Sequence, residues 1–322
     1  MSLKETELLE HCQFILANRQ IRNKFVILCE GEIKKNAGRL SPQSYRAMED
    51  FPDANFYRAC VPRDWKQKIP TFLNCGDRND VLNTYFNLLR LHEENPEASY
   101  LNPQQLFAIV DLDLQKKDLK DLDDSYPFKD LEQIFEDLYH KSLIKVNRVG
   151  QHRIWVTGLI HKECYFIFPD IHIQSILSEH SAVYQNSAAR LENIYLDMAD
   201  KIKDDADLKN NFSRVKGRIS HCQNLELSEV EKLQLSWQKQ YQVSHDNSQS
   251  ELVLALLTIK KAKQYWLEVE PPEDNTSPPE RYREQLALQI GRFYAHNSDN
   301  PSCHISHLLK LLKLELNPRE QE

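Results

Sequence analysis

The sequence predicts an α/β fold, a parallel sheet domain followed by an α-helical C-terminal domain. Two observations predict it. Apolar, β-like runs alternate with helix-period segments up to about residue 175, the pattern of a parallel sheet covered on both faces. Beyond that point the strand signal fades and helical stripes dominate. At roughly 100 to 200 residues per domain, the 322 residues divide into an N-terminal helix (1–22), the sheet domain (23–175) and a helical domain for partner or substrate binding (176–322).

In chain order, residues 4 to 20 read as a short amphipathic helix. Strands are expected at 24–29 (KFVILC), 56–61 (FYRACV), 106–112 (LFAIVDL) and 153–159 (RIWVTGL). Between the second and third, Val81, Leu82, Tyr85, Phe86 and Leu89 recur at helical spacing. Between the third and fourth, Pro127 opens a segment with Leu131, Ile134, Phe135 and Leu138 on one face, proline being tolerated in a first turn. Leu191, Ile194, Tyr195 and Met198 form the next stripe. Ser228 with Glu231 three residues on reads as a capping box, and Glu251 to Trp266 as one buried helix. The PPEDNTSPPE segment at 271–280 is a break that helices do not cross, followed by helices near 281–294 and 304–314.

A chain with 41% hydrophobic and 28% charged residues falls outside the disordered and fibrous classes. The formal charge of -7 excludes a global positive field that would draw the molecule onto nucleic acid, so such contacts must come from local patches. The longest apolar run, LVLALLTI at 252–259, falls well below the roughly 20 residues of a membrane span, and no membrane contact is expected. MSLKETELLEHC lacks the apolar centre of a secretory signal, so a cytoplasmic location is expected. The seven cysteines carry no CxxC spacing and read as free, reduced thiols.

Two strands end in acids. KFVILC runs into Glu30-Gly31-Glu32, and FAIV runs into Asp111-Leu112-Asp113. In an open parallel sheet, ligands sit beyond the carboxyl ends of the strands, so neighbouring strands would bring Glu30, Asp111 and Asp113 to one edge. Asp-x-Asp leaves both carboxylates on one side of the strand. Two carboxylates 4 to 5 Å apart repel by roughly 3 to 4 kcal/mol at an effective dielectric near 20, so a proton or a cation must sit between them. All-oxygen ligands favour Mg²⁺ or Mn²⁺ over zinc or copper. Gly31 permits close approach of backbone or substrate, and Gly76 could do the same beside a helix N-terminus that favours anions.

At these residues the sequence resembles the Toprim domain, the Rossmann-like catalytic fold of topoisomerases, bacterial primases and OLD-type nucleases. CEG at 29–31 and VDLD at 110–113 match in kind and in order the glutamate and the Asp-x-Asp of that family. The segment from Gly76 to Leu89 resembles the glycine-plus-helix element of OLD-like members. IHKECYFIFPD at 160–170 is similar to their IENYL-like stretch, which supplies a further acid, though it lacks the Asn. The resemblance covers roughly residues 22 to 175. It implies a metal-dependent nuclease cleaving DNA or RNA, with Glu30 as metal ligand or general acid/base, Asp111 and Asp113 holding the ion, and Glu163 as a further ligand. Stand-alone chains of this kind resemble anti-phage effectors that work beside an ABC-type ATPase. GxxxxGK[ST] does not occur here, so the ATPase would be a separate subunit. Whether the chain forms a homo-oligomer stays open.

Phosphate binding requires positive charge beside the metal. Lys34 and Lys35 follow directly after Glu30, Arg153 flanks the fourth strand beside Arg148 and His152, and Arg214, Lys216 and Arg218 read as a solvated basic face. CHISH at 303–307 has no partner pair at zinc-finger spacing. Two rival readings remain: a HAD-like phosphohydrolase, whose first strand resembles FAIVDLDLQ without its usual Gly-Thr, and a catalytically idle Toprim-like module that only binds.

Overall fold

The computed structural model describes residues 3–33 and 52–316. At its centre lies a four-stranded, wholly parallel sheet in the order β2-β1-β3-β6, formed by β1 (Val26–Cys29), β2 (Thr71–Asn74), β3 (Leu106–Val110) and β6 (Ile154–Val156). Every residue of these strands is buried, which is why they read as unbroken apolar runs. Each fully buried Leu or Ile contributes roughly 1.5–3 kcal/mol relative to exposure. Cys29 pairs with Asn74 on one side and Ile109 on the other, so β1 and β3 end in near register.

Helices α1 (Glu5–Leu16) and α3 (Arg78–Glu94) pack on each other, and α3 covers β1 and β3. Helix α2 (Pro52–Ala59) lies against β2, and α4 (Leu131–Leu138) against β6. The expected strand at 56–61 is therefore corrected: Phe56, Tyr57 and Cys60 are buried at helical spacing, and the second strand is TFLN at 71–74 instead. Aromatic residues suit both states, and the helical period of a short run is easily hidden. Helix α4 also starts later than Pro127, because the Asp130 side chain caps it by accepting from Gln133 N.

A two-residue hairpin, β4 (Tyr139–His140) and β5 (Leu143–Ile144), leads to β6. Beyond α5 (Ile171–Glu179), helices α6 (Leu191–Asp200), α7 (Ala206–Asn210), α8 (Phe212–Ile219), α9 (Val230–Val243), α10 (Asp246–Ile259), α11 (Lys263–Leu267), α12 (Pro279–His296) and α13 (His304–Leu316) follow. A small antiparallel sheet of β7 (Val183–Tyr184), β8 (Ser187–Ala188) and β9 (Val269–Glu270) is set among them. Ser228 is not the cap expected of it; Glu229 takes the N-cap position of α9 without a side-chain bond. The single helix expected over 251–266 is two, broken at Lys260–Ala262.

One hydrophobic core runs from Leu8 to Leu312. Helix α12 packs on α2, where Phe56 meets Phe166 edge-on at 4.8 Å and Tyr294 at 6.4 Å. Among the described residues no helix is long and apolar enough to cross a membrane.

Candidate active site

The site begins where β1 stops. Gly31 and Gly76 exchange backbone hydrogen bonds of 2.9 and 2.8 Å, extending the β1–β2 pairing one step and fixing the turn that carries Glu30. A Cβ at Gly31 would stand 2.6 Å from the Asn74 side chain and from Asp53 Oδ2. Gly76 has φ +89°, and a Cβ there would collide with the Asp80 carboxylate. The close approach expected at both glycines is thus backbone against backbone. Asp77 then caps α3 in a reciprocal capping box with Asp80, which sets Arg78 at the helix start. Arg78 faces Glu30 and Asp113 electrostatically, and its Nη1 is buried without a hydrogen-bond partner among the described residues.

Asp111, one residue past β3, is 4% exposed. Its backbone N–H donates to Glu30 Oε1 at 2.7 Å, so the two acidic strand ends are tied together. Burial first, and the Asp111 charge second, push the Glu30 carboxyl up to about 8. Burial also raises Asp111. One carboxylate oxygen of Asp111, Oδ2, lies 3.1 Å from His161 Nε2. The other, Oδ1, is buried with no hydrogen-bond partner among the described residues.

His161 stands between Asp111 and Glu163, its Nδ1 bonded to Glu163 Oε2. Burial opposes charge on this ring, but Asp111, Glu163 and Glu30 overcome it and raise the imidazole to about 9. Burial likewise opposes the Glu163 carboxylate, and His161 and Lys162 hold it down at about 2. At 3.1 Å and an effective dielectric near 20, the His161–Asp111 attraction is about 5 kcal/mol gross. That exceeds the mutual repulsion of two carboxylates, so the imidazolium is the counter-charge that the acid pair requires. Lys162 adds a second cation and pairs with Asp53 on α2.

Asp113 points elsewhere. Its backbone is left-handed at φ +32°, and its Oδ1 accepts from Leu114 N at 2.8 Å and pairs with Lys261 Nζ at 3.0 Å. Burial would raise this carboxyl, but the Lys261 ammonium and Arg78 hold it below the usual carboxylate range. Lys261 sits in the break between α10 and α11. Arg218 of α8, with its side chain 1% exposed, donates to Asp113 O at 2.7 Å and to Leu112 O at 3.3 Å, while Nε and Nη2 fork onto Glu132 at 2.9 and 2.8 Å. Arg214 bonds Leu114 O and reaches Glu132 at 3.1 Å.

The structure therefore joins Glu30 with Asp111, and joins Glu163 to Asp111 only through His161. Asp113 is held apart by Lys261, and no three of these acids bring their oxygens within 4.8 Å of one another. Lys34 and Lys35 lie outside the described residues. Arg153 stands at the amino end of β6, bonded to Gln104 O at 2.8 Å and stacked 4.8 Å over the Phe107 ring, at the far end of the strands from the acids. Arg214 and Arg218 are not a solvated basic face but internal clamps on the Asp-x-Asp loop.

Sequence reasoning missed Asp53, Arg78, His161, Lys162 and Lys261. The residues before Glu163 did carry a signal, since two bases adjoin that acid in IHKE; Lys261, far along the chain, carried none. Comparison with family models, with curated proteins and with solved structures found no match to this chain. Glu30 and Asp111 offer oxygen ligands at one edge, with one buried oxygen unpaired among the described residues, which is the donor chemistry of hard divalent cations.

Proposed function

We propose that the chain is a metal-dependent phosphodiesterase of the Toprim-like type, a nuclease acting on DNA or RNA. The observation that carries this reading is Asp111 Oδ1. A buried carboxylate oxygen without a partner costs about 1–3 kcal/mol or more, and a bound Mg²⁺ or Mn²⁺ would remove that cost. Glu30 and Asp111 would hold the ion, and Asp113 would join them when released from Lys261.

Such an ion stabilises charge on phosphate oxygens and lowers the pKa of a bound water. The chain's own residues supply the rest. His161 holds a proton 3.1 Å from Asp111 Oδ2 and keeps that carboxylate oriented. Without the ion, burial and the Asp111 charge raise Glu30 to about 8, so binding of the ion there would release its proton. Lys162, Arg78 and a freed Lys261 provide local positive charge for phosphate that the net charge of the chain does not. The separate ABC-type ATPase partner belongs to the same proposal and rests on the family resemblance alone.

The test is incubation of purified protein with labelled single-stranded DNA, duplex DNA and total tRNA in Mg²⁺, Mn²⁺ or EDTA. Cleavage should require metal and fall in Asp111→Ala and Glu30→Gln by more than the ~10–100-fold that loss of an outer-shell partner costs. Cleavage persisting in EDTA would overturn the metal-dependent reading. Phosphate release from small phosphomonoesters without polymer cleavage would replace it with the phosphohydrolase. Absence of metal binding and of turnover would leave the idle binding module.

A further inference from the structure

A second constellation of metal-ligating side chains lies in the helical half, apart from the acids. His221 and Cys222 occupy the turn after α8, and Glu251 faces them from the second turn of α10. One ligand atom from each lies within 4.8 Å of the other two, the only such group of three among the described residues. All three line a cavity of about 280 Å³, whose other walls include Gln223, Asn224 and Ser248. Cys222 differs from the other six cysteines. Those are sealed at 1% exposure or less, whereas Cys222 is 8% exposed and faces this cavity.

We propose that His221, Cys222 and Glu251 form a site for a borderline divalent metal such as Zn²⁺, with a fourth position open to water in the cavity. The donor set selects the metal. A thiolate and an imidazole favour zinc or cobalt over Mg²⁺ and Ca²⁺, whereas the carboxylates beside β1 and β3 favour the reverse. Bonds of about 2.0 to 2.3 Å in a tetrahedron place ligands roughly 3.3 to 3.8 Å apart. Closing the present separation takes about 1 Å, within reach of a rotamer change in the exposed Glu251 side chain. Lys141 borders the same cavity and opposes a cation, but thiolate and carboxylate together supply two negative charges against it.

Bound metal would tie the end of α8 to α10. Helix α8 carries Arg214 and Arg218 onto the Asp113 loop, and α10 ends beside Lys261, so the tie would brace the elements that position Asp113. The metal site itself stands whether or not the chain proves to be a nuclease.

The experiment uses the full chain stripped with a chelator and titrated with Co²⁺ and then with Zn²⁺ in competition. A thiolate-to-cobalt charge-transfer band should appear, reach its plateau at one equivalent, and vanish in Cys222→Ser. Zn²⁺ affinity should fall about 10-fold or more in Glu251→Gln, while Asp111→Ala should keep the band. No band in the wild type, or a band that survives Cys222→Ser, would overturn the site. Unchanged Zn²⁺ affinity in Glu251→Gln would also overturn it, and this variant decides the matter if Cys222→Ser does not fold.

Discussion

His161 does at residue scale what a bound cation would do, since its ring bridges Asp111 and Glu163 and carries the compensating charge. Removing it leaves two poorly solvated carboxylates facing each other. We expect His161→Asn to lower stability without metal by about 2–4 kcal/mol, near the lower end of the range for a broken buried pair. Mg²⁺ should restore more stability to the variant than to the wild type, because an ion bound only by the folded state stabilises it. Thermal unfolding with and without Mg²⁺ checks this. Equal stability of the two proteins in EDTA would remove the counter-charge role. Seen from the sequence, the meeting of Glu30 and Asp111 was legible because both end neighbouring buried strands, whereas Asp113 was expected beside them and is held apart. Lys261 was not legible, because a lone lysine between helices is ordinary until the fold sets it 3.0 Å from Asp113.

At the scale of elements, two devices hold the acidic edge. The first is the Gly31–Gly76 bridge. Gly76→Ala combines a left-handed backbone with a collision against Asp80 and should cost about 1–3 kcal/mol or more. Gly217 in α8, where a Cβ meets nothing within 4 Å, is the control, and Gly217→Ala should stabilise by up to about 1 kcal/mol. Urea unfolding of both variants measures the contrast, and a Gly76→Ala protein as stable as the wild type would refute the account. The second device is Arg218, whose planar fork serves Glu132 and two loop carbonyls at once. Lysine cannot reproduce that geometry. Arg218→Lys should lower metal affinity at the acidic edge about 10–100-fold, as loss of an outer partner does, and a calorimetric titration with Mn²⁺ reads the change. Unaltered affinity would mean that the loop keeps its shape without the fork. The break at Lys260–Ala262 escaped prediction because hydrophobic period alone does not mark the end of a helix buried on most sides.

Across the whole molecule, α13 is locked by a buried histidine to the β4–β5 turn and to the segment that follows β6. His304 Nε2 lies 2.6 Å from Ser142 O and Nδ1 lies 2.9 Å from Tyr165 OH, bonds that suit a neutral ring donating from Nε2. Burial lowers its pKa from 6.5 to about 4. Between these values the unfolded chain binds a proton that the folded chain refuses. The contribution is therefore complete above pH 6.5 and is lost as pH falls to about 4, about 3 kcal/mol in all. The His304 ring followed by NMR should stay neutral to about pH 4, and a midpoint near 6.5 would contradict this. The CHISH segment, which lacks a partner pair at zinc-finger spacing, is thus core packing at Cys303 and His304, whereas His221 and Cys222 face a cavity.

By itself the sequence determined the α/β alternation, three of the four central strands, most of the helices and the placing of acids at two strand ends, because burial and backbone periodicity are written locally. FYRACV at 56–61 shows the limit of that local reading, since six residues with two aromatics satisfy a strand and a helix alike. Only the tertiary structure decided which charges meet. It set His161 between Asp111 and Glu163, drew Lys261 onto Asp113, turned Arg214 and Arg218 inward and sent Arg153 to the opposite edge. Electrostatic pairing depends on distances of a few ångströms between residues far apart in the chain, 148 positions for Asp113 and Lys261, and no spacing along a chain encodes such a distance until the chain has folded.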